Sequence, residues 1–449
     1  MSKKRSSFTG KIGFVLAAAG SAVGLGNIWR FPYLAAKYGG GIFLLVYLVL
    51  SVTFGFTLMC AEIAIGRKTG KSAIGAFKSL DKRFGFVGVL CAIIPAIILP
   101  YYSVIGGWVA KYFTVFITGG GKEAANASFF TGFITKPVEP LFWFFLFIGV
   151  TALIVLFGVE KGIEKMSKFM MPLLVVMTVF IAIYSVCLPG AFEGFKYYII
   201  PNFEDFSVTT VLAAMGQLFY SMSLAMGIMI TYGSYMKKDV NIETSVHQIE
   251  LFDTGIAFLA GMMVIPPIFA YGDIEAVKPG PGLMFQMLPN VFSEIYGGQI
   301  IGTIFFLLVI FAALTSSISL METVVSIIND KFGINRKLSC LIVFILSLLL
   351  GVPSSLGFGA LDFISVAGMT TLDIFDFVSN SVLMPIVALL TSIFVGYFIK
   401  PKAVIDEIES SSKFNGKKLF TVMIKYVAPV FIVLILVSSV LSGLGIMNI

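Results

Sequence analysis

The stretch Gly20-Ser-Ala-Val-Gly-Leu-Gly-Asn-Ile-Trp-Arg-Phe-Pro32 decides the fold of this chain. It lies in the first hydrophobic segment, 12–37, and interrupts that segment with three glycines, an asparagine and an arginine. Glycine lowers helix stability by about 1 kcal/mol relative to alanine. Because lipid offers no water to freed backbone groups, irregular backbone at membrane depth must face protein or a cavity. The stretch therefore predicts a binding site inside a membrane span rather than a simple anchor.

The composition is that of an integral membrane protein. Of the 449 residues, 58% are hydrophobic and only 12% are charged, whereas soluble domains carry about 25% charged residues. The net charge of +7 comes from lysines and arginines in short connections on one side, so membrane topology explains it and nucleic-acid binding is not expected. The four cysteines share no metal-ligand spacing and are expected to be buried thiols.

Hydropathy predicts eleven membrane spans, because a span needs about 20 apolar residues. We name them span 1 to span 11, and they cover 12–37, 41–66, 86–117, 139–158, 167–187, 209–236, 246–271, 298–329, 338–355, 373–399 and 420–446. The lysine-rich connections place the N-terminus in the cytoplasm. With an odd number of spans, the C-terminus is expected outside the cell.

Span 6 is interrupted in the same way as span 1. Its middle, 216–228, mixes apolar residues with glycine and hydroxyl side chains. Two interrupted segments that each open a group of five spans are typical of inverted-repeat transporters. We therefore predict a single transmembrane domain, 1–449, with repeats 12–187 and 209–399 and an additional helix at 420–446. The alternative is that the glycine-rich breaks are packing notches between helices.

Motifs for other membrane functions are missing from the sequence. It contains no GxxxxGK[ST] phosphate loop, no HExxH and no GxSxG. ATP-driven transport on this chain and hydrolytic enzyme activity are therefore not expected.

The string AGSAVGLGNIWRFP, with Gly39–Gly41 downstream, resembles the neurotransmitter:sodium symporter family, and the resemblance extends from Arg5 to Asp376. It is similar to the bacterial amino-acid transporter branch, of which LeuT is a member. The resemblance implies an all-α fold of the LeuT type, a 5+5 inverted repeat with unwound spans 1 and 6. It also implies sodium-coupled import of an amino acid by alternating access, in a bacterial-type plasma membrane.

The resemblance further implies two sodium sites. One would comprise Ala22, Asn27, Ser221, Asp253 and the substrate carboxylate; the other would comprise Gly20, Val23, Ala312, Thr315 and Ser316. Broken helices and clustered hydroxyls supply the oxygen ligands that a hard cation prefers. Taken alone, the hydroxyls of 315–317 could equally bond their own helix backbone.

Asp253 is an informative departure from many animal members, which have asparagine there and use chloride. A fixed carboxylate would do the work of the anion, so transport is expected to be independent of chloride. Ala257 stands where some bacterial relatives keep a second acid, so Asp253 carries this role alone. An unpaired charge at mid-membrane costs about 3 kcal/mol on insertion scales, which argues for a function. Coupling of its protonation to the return step is a hypothesis.

The implied substrate pocket has no charged side chain facing the substrate side chain. It would be lined by Ala22, Ile98, Tyr102, Tyr220, Ser223, Met226, Ser316 and Leu320. An unpaired charge in such a pocket is costly, so an apolar or aromatic amino acid is expected. The sequence leaves alanine-sized, branched and aromatic substrates open.

Two gates are implied, one on each side of the membrane. Arg30 with Asp376, supported by Gln217, would close the outer side, and Arg5 with Asp330, supported by Tyr235, the inner side. Two further acids, Glu62 and Glu322, are expected to tie the broken spans. Between Gly162 and Pro172 two alternatives remain: span 5 unwinds there, or an ordinary helix begins there. Taken singly, Arg30 could also be an interfacial arginine.

The alternative function is a non-transporting amino-acid sensor or membrane scaffold on the same fold. The oligomeric state is not predicted.

Overall fold

The computed structural model describes residues 7–272, 281–366 and 368–443, and this part of the chain is helical. Within these ranges the β-structure is limited to two isolated bridges, Gly40 with Pro201 and Val366 with Met369. Spans 1 to 5 correspond to Lys11–Ala22 with Gly26–Lys37, Gly41–Thr69, Lys82–Ile117, Glu139–Leu156 and Val159–Val186. Spans 6 to 11 correspond to Val208–Ser221 with Ile228–Gly233, Ile242–Tyr271, Gly298–Phe332, Arg336–Leu356, Thr371–Phe398 and Lys417–Ser442. Short helices in the connections are Ala73–Leu80, Gly121–Ala124, Ala127–Ile134, Phe192–Ile199, Leu288–Glu294 and Lys400–Glu409.

The predicted count of eleven spans is only partly reproduced. Nine helices in the described ranges are long and apolar enough to cross a membrane, and the bent pair of span 1 makes ten. Span 6 consists of a 14-residue and a 6-residue helix, and neither reaches the length of a crossing. An eleventh crossing would need both pieces of span 6 together.

Both interrupted spans break where the sequence predicts. The first helix of span 1 ends at Ala22, the chain is extended at Val23, and the two halves differ in direction by 53°. In span 6 the helix is lost over 222–227. There Ser223 and Ala225 have φ values of +53° and +62°, a left-handed conformation that costs non-glycine residues about 1–2 kcal/mol each. Surrounding contacts must therefore hold this break in place.

Span 8 forms the centre of the molecule and packs against spans 1, 3, 5 and 9. In its most apolar window 72% of the residues are buried, against 33% in spans 4 and 11. A helix that is apolar all round fits such a buried position. The exposed leucines, valines and phenylalanines of the peripheral spans form the surface that faces lipid.

Several spans contain a π-helical turn, a local widening that often marks functional sites. One such turn, Gly26–Arg30, restarts span 1, and another, Val159–Glu164, opens span 5. After the second turn the helix Lys165–Val186 continues through Pro172. Unwinding between Gly162 and Pro172 is therefore confined in this structure to the π-helical turn.

One buried ion cluster joins distant parts of the chain on the lysine-rich side. The guanidinium of Arg67, at the end of span 2, lies 2.8 Å from the Glu407 carboxylate and donates to the Val240 carbonyl at 2.7 Å. Lys238 contacts the same carboxylate at 2.7 Å. The helix after span 10 is thereby fixed to the end of span 2 and to the connection between spans 6 and 7.

Candidate functional site

A small cavity, about 40 Å³ in volume, lies where the breaks of spans 1 and 6 face spans 3, 8 and 10. It is lined by Ser21, Ala22, Gly24, Leu25, Gly26, Ile98, Tyr102, Tyr220, Ser223, Met226, Ile228, Ser316, Leu320 and Asn380. Every residue that the sequence predicts for the substrate pocket is among them. Asn380 of span 10 also lines the cavity and was not predicted, because no pattern near spans 1 and 6 reveals it.

Hydroxyl groups from neighbouring spans bind the free backbone carbonyls at the break of span 1. Ser223 donates to the Ser21 carbonyl at 2.9 Å, and Ser316 donates to the same carbonyl at 3.0 Å. The Leu25 backbone N–H donates to the Tyr102 hydroxyl at 3.2 Å. One wall of the cavity therefore carries polar backbone and hydroxyl groups, while Ile98, Met226 and Leu320 make another part of the lining apolar.

Asn27 and Ser221, predicted for the first sodium site, contact the fully buried carboxylate of Asp253, whereas Ala22 lines the cavity. Asn27 donates to Asp253 Oδ1 at 2.7 Å, and Ser221 Oγ lies 3.2 Å from Asp253 Oδ2. The Tyr47 hydroxyl also reaches Asp253 Oδ2, at 3.1 Å, and lies 2.7 Å from Ser221 Oγ. Tyr47, in the apolar helix Gly41–Leu50, was not predicted for this site.

The residues predicted for the second sodium site are adjacent, with one qualification. A Cβ on Gly20 would lie only 3.2 Å from Thr315 Cβ, so spans 1 and 8 are in close contact here. Ser316 reaches the Val23 carbonyl at 3.3 Å. Thr315, however, donates to the Phe311 carbonyl of its own helix at 2.9 Å. The Ser316 hydroxyl thus contacts span 1, as the predicted sodium site requires. The Thr315 hydroxyl instead bonds to the backbone of its own helix, which was the alternative.

The oxygen atoms in both clusters are suitable ligands for a hard cation. They are carbonyl and hydroxyl oxygens with the single carboxylate of Asp253, a combination that fits Na⁺ better than a transition metal. Within the described residues, His, Cys, Asp and Glu form no group of three that could hold a metal ion.

The predicted outer gate residues are close to the cavity but are held by different partners. The Arg30 guanidinium lies 5.0 Å above the ring of Tyr220. Asp376 accepts from the Tyr101 hydroxyl at 3.0 Å and from the Asn380 amide at 2.6 Å. Among the described residues, Arg30 and Asp376 form no ion pair, so their direct gate contact stays a prediction.

The supporting gate residue Gln217 donates to the Gly26 carbonyl at 2.9 Å and so ties span 6 to the restart of span 1. Glu62 accepts from the Ala225 backbone N–H at 2.7 Å. The contact of Glu62 agrees with the expectation that this acid ties the broken spans, and it explains how Ala225 is kept in its left-handed conformation. Gln217, predicted to support the outer gate, contacts the backbone of span 1.

On the inner side, the prediction for Arg5 lies outside the described residues. Asp330 accepts from the Ser72 backbone N–H at 2.8 Å. The Tyr235 hydroxyl donates to Glu322 at 2.8 Å, and Glu322 also pairs with Arg336 at the start of span 9. The predicted inner gate residue Tyr235 is thus anchored to span 8 through a carboxylate.

Two broken spans, a cavity between them and adjoining oxygen clusters define a membrane transporter of small molecules. The profile of the sodium:neurotransmitter symporter family matches residues 5–122 and 134–445. The chain belongs to this family, and the resemblance drawn from the stretch 19–32 is confirmed.

Relatives and a solved structure agree with this assignment. The chain is 35% identical over 449 residues to YhdH, an uncharacterized sodium-dependent transporter of Bacillus subtilis, with 98% of both chains covered. It is 26% identical to the human sodium- and chloride-dependent GABA transporter 2, over 90% of this chain and 75% of the relative. The crystal structure of MhsT in complex with L-phenylalanine matches with a TM-score of 0.88 and 38% identity, over 97% of this chain and 100% of the other. The predicted all-α, LeuT-like fold is therefore correct.

Proposed function

We propose that this protein imports a hydrophobic or aromatic L-amino acid together with sodium by alternating access. The observation that carries this proposal is the cavity at the breaks of spans 1 and 6, which has one polar wall and one apolar part. Its polar wall suits the ammonium and carboxylate of an amino acid, since helix ends offer both N–H groups and carbonyls. The known complex of the relative MhsT with L-phenylalanine supports this substrate class.

The uncharged lining argues for an uncharged substrate side chain. No acidic or basic residue is among the described residues that line the cavity. A buried charge without a partner is strongly unfavourable, so an acidic or basic amino acid is expected to bind poorly. Ile98, Met226 and Leu320 instead offer apolar contacts, and methionine adapts readily to different shapes.

We propose two coupled sodium ions. The first site comprises Ala22, Asn27, Ser221, Asp253 and the substrate carboxylate, and the second comprises Gly20, Val23, Ala312, Thr315 and Ser316. Two ions with a zwitterion carry two net charges inward. A membrane potential of 100 mV then contributes roughly 4.6 kcal/mol, from about 2.3 kcal/mol per charge. Because about 1.4 kcal/mol corresponds to a tenfold ratio, this supports a gradient of more than a thousandfold.

Independence from chloride is part of the proposal. The hydroxyls of Tyr47 and Ser221 both lie within hydrogen-bond distance of Asp253 Oδ2. A fixed carboxylate at this point supplies the negative charge beside the first sodium. An added anion would be repelled by it, at short range and at low local dielectric.

Uptake into proteoliposomes tests the proposal. Labelled phenylalanine, leucine, alanine, glutamate and lysine are offered with an inward sodium gradient, with potassium in its place, and with gluconate replacing chloride. We expect sodium-dependent accumulation of an apolar amino acid that persists in gluconate. Equal accumulation under potassium would remove sodium coupling, and loss in gluconate would remove chloride independence. Tight binding of an amino acid without any uptake would favour the sensor.

A further inference from the structure

A groove of about 460 Å³ lies between spans 4 and 9 and shares no residue with the transport cavity. Span 4 lines it with Gly149, Ala152, Leu153 and Leu156, and span 9 with Lys337, Cys340, Leu341 and Phe344. In both helices the spacing is i, i+3, i+4, i+7, which places each set on one helix face. Two continuous helix faces therefore form the walls of the groove.

The groove opens toward the lipid. Leu153 and Leu341 are 55% and 51% exposed on its walls. The small residues Gly149 and Ala152 leave space in the groove, and a Cβ on Gly149 would meet no atom within 4 Å. From Lys337 to Phe344 the groove extends about 10 Å along the helix axis, at 1.5 Å per residue.

One end of the groove carries a positive charge that no neighbour balances. Lys337 is exposed and forms no ion pair with a described residue. Its neighbour Arg336, in contrast, is held by Glu322 and by the Val155 carbonyl. None of the residues that line the groove is acidic.

We propose that this groove binds one anionic phospholipid, with an acyl chain between spans 4 and 9 and the phosphate at Lys337. The apolar walls suit the part of an acyl chain next to the headgroup. A basic residue at the membrane surface attracts an anionic headgroup. A zwitterionic lipid would bring an ammonium group toward Lys337. A second copy of this chain packed symmetrically on the same face would bring no carboxylate to Lys337 from the groove, since a two-fold interface pairs the same surface with itself.

Native mass spectrometry of the purified full chain tests the proposal. The probes are 1-palmitoyl-2-oleoyl phosphatidylglycerol and the phosphatidylcholine with the same acyl chains. We expect phosphatidylglycerol to bind as one molecule per chain about fivefold more tightly, the effect of one lysine at a lipid surface. Lys337→Gln should abolish the preference, and Gly149→Leu should lower binding by filling the groove. Lys78→Gln, which removes another exposed lysine, is the matched control and should change nothing.

Other outcomes overturn the proposal. Equal binding of the two lipids, or an unchanged preference in Lys337→Gln, would reduce the groove to ordinary lipid-facing surface. Loss of a dimer in Gly149→Leu, with lipid binding unchanged, would make this face an interface between copies. If Gly149→Leu does not fold, Ala152→Leu fills the same groove from the next turn of span 4.

Discussion

Among single residues, Tyr102 is the one that we propose to bind the substrate carboxylate. Its hydroxyl accepts from the Leu25 backbone N–H at 3.2 Å, at the restart of span 1. Hydrogen bonds to charged groups contribute about 1.5–3 kcal/mol. We therefore expect Tyr102→Phe to raise the KM of sodium-dependent uptake by about 10- to 100-fold. Tyr112→Phe, ten residues along the same helix and bonded to the Phe285 carbonyl, is the control. An unchanged KM in Tyr102→Phe would contradict the assignment.

Asp253 offers the second test at this scale. In Asp253→Asn the hydroxyls of Tyr47 and Ser221 lose their anionic acceptor, and the proposed cation site loses its fixed charge. We expect uptake by this variant to be weak in gluconate and to recover when chloride is added. Uptake is measured at matched ionic strength in the two anions. Full activity of Asp253→Asn in gluconate would show that the carboxylate is dispensable.

The sequence predicts the residues of the breaks better than their partners. Asn27, Ser223 and Ser316 lie in stretches where polar or small residues interrupt an apolar pattern, and this interruption is visible without a structure. Tyr47, Tyr101 and Asn380 lie outside those stretches, on spans 2, 3 and 10. Their roles depend on which helices pack together, and hydropathy holds no information on that packing.

Among the elements, the start of span 5 has the most direct consequence for the inner side. The carboxylate of Glu164 is 1% exposed and accepts from both the backbone N–H and the hydroxyl of Thr9. Lys168 pairs with it at 2.6 Å. A Cβ on Gly13 would lie 2.2 Å from Glu164 Oε1, so glycine is required for this approach. Glu164 therefore joins the chain before span 1 to the π-helical turn of span 5.

This joint should restrain opening of the inner side. Glu164→Gln removes the charge that binds Lys168 and weakens the bonds to Thr9, a loss of about 1 kcal/mol. We expect amide hydrogen exchange at 7–14 and 159–168 to become about fivefold faster, since exchange reports local opening. Glu160→Gln, an exposed acid in the same turn, is the control. Unchanged exchange in Glu164→Gln would show that the contacts of Glu164 do not limit local opening of these segments.

Element boundaries follow the sequence where apolar runs are long and depart from it where the backbone changes character. Spans 2, 7 and 8 lie close to their predicted ranges. Span 5 begins at Val159, eight residues before its predicted start at 167, because the π-helical turn Val159–Glu164 leads into the helix. Hydropathy averages composition over a window, so it cannot locate the residue at which a helix stops or widens into a π-helical turn.

For the whole molecule, membrane orientation is the prediction that a thiol can test. Cys60, Cys91 and Cys340 are buried as expected, whereas the same expectation is wrong for Cys187, which is exposed at the end of span 5. The lysine-rich connections place Cys187 on the outer side. We expect a membrane-impermeant maleimide to label right-side-out vesicles, and Cys187→Ser to remove the signal. Labelling only after permeabilisation would invert the orientation.

The fold class and family of the molecule were accessible from the sequence because a few strings are highly specific. AGSAVGLGNIWRFP and the break in span 6 together indicate the LeuT-like arrangement. The groove between spans 4 and 9 was not accessible in this way. Its walls are ordinary apolar helix faces, and only their packing distinguishes them from the rest of the lipid-facing surface.

The ion cluster at Arg67 also has a consequence for the order in which the protein is made. Its carboxylate partner Glu407 follows 340 residues later in the chain. During synthesis the end of span 2 must therefore remain hydrated at the membrane surface until span 10 has been inserted. Leaving a buried charge without its partner costs about 3–5 kcal/mol. A nascent chain that stops before residue 400 should thus expose the connection after Arg67 to protease, and release of the completed chain should protect it.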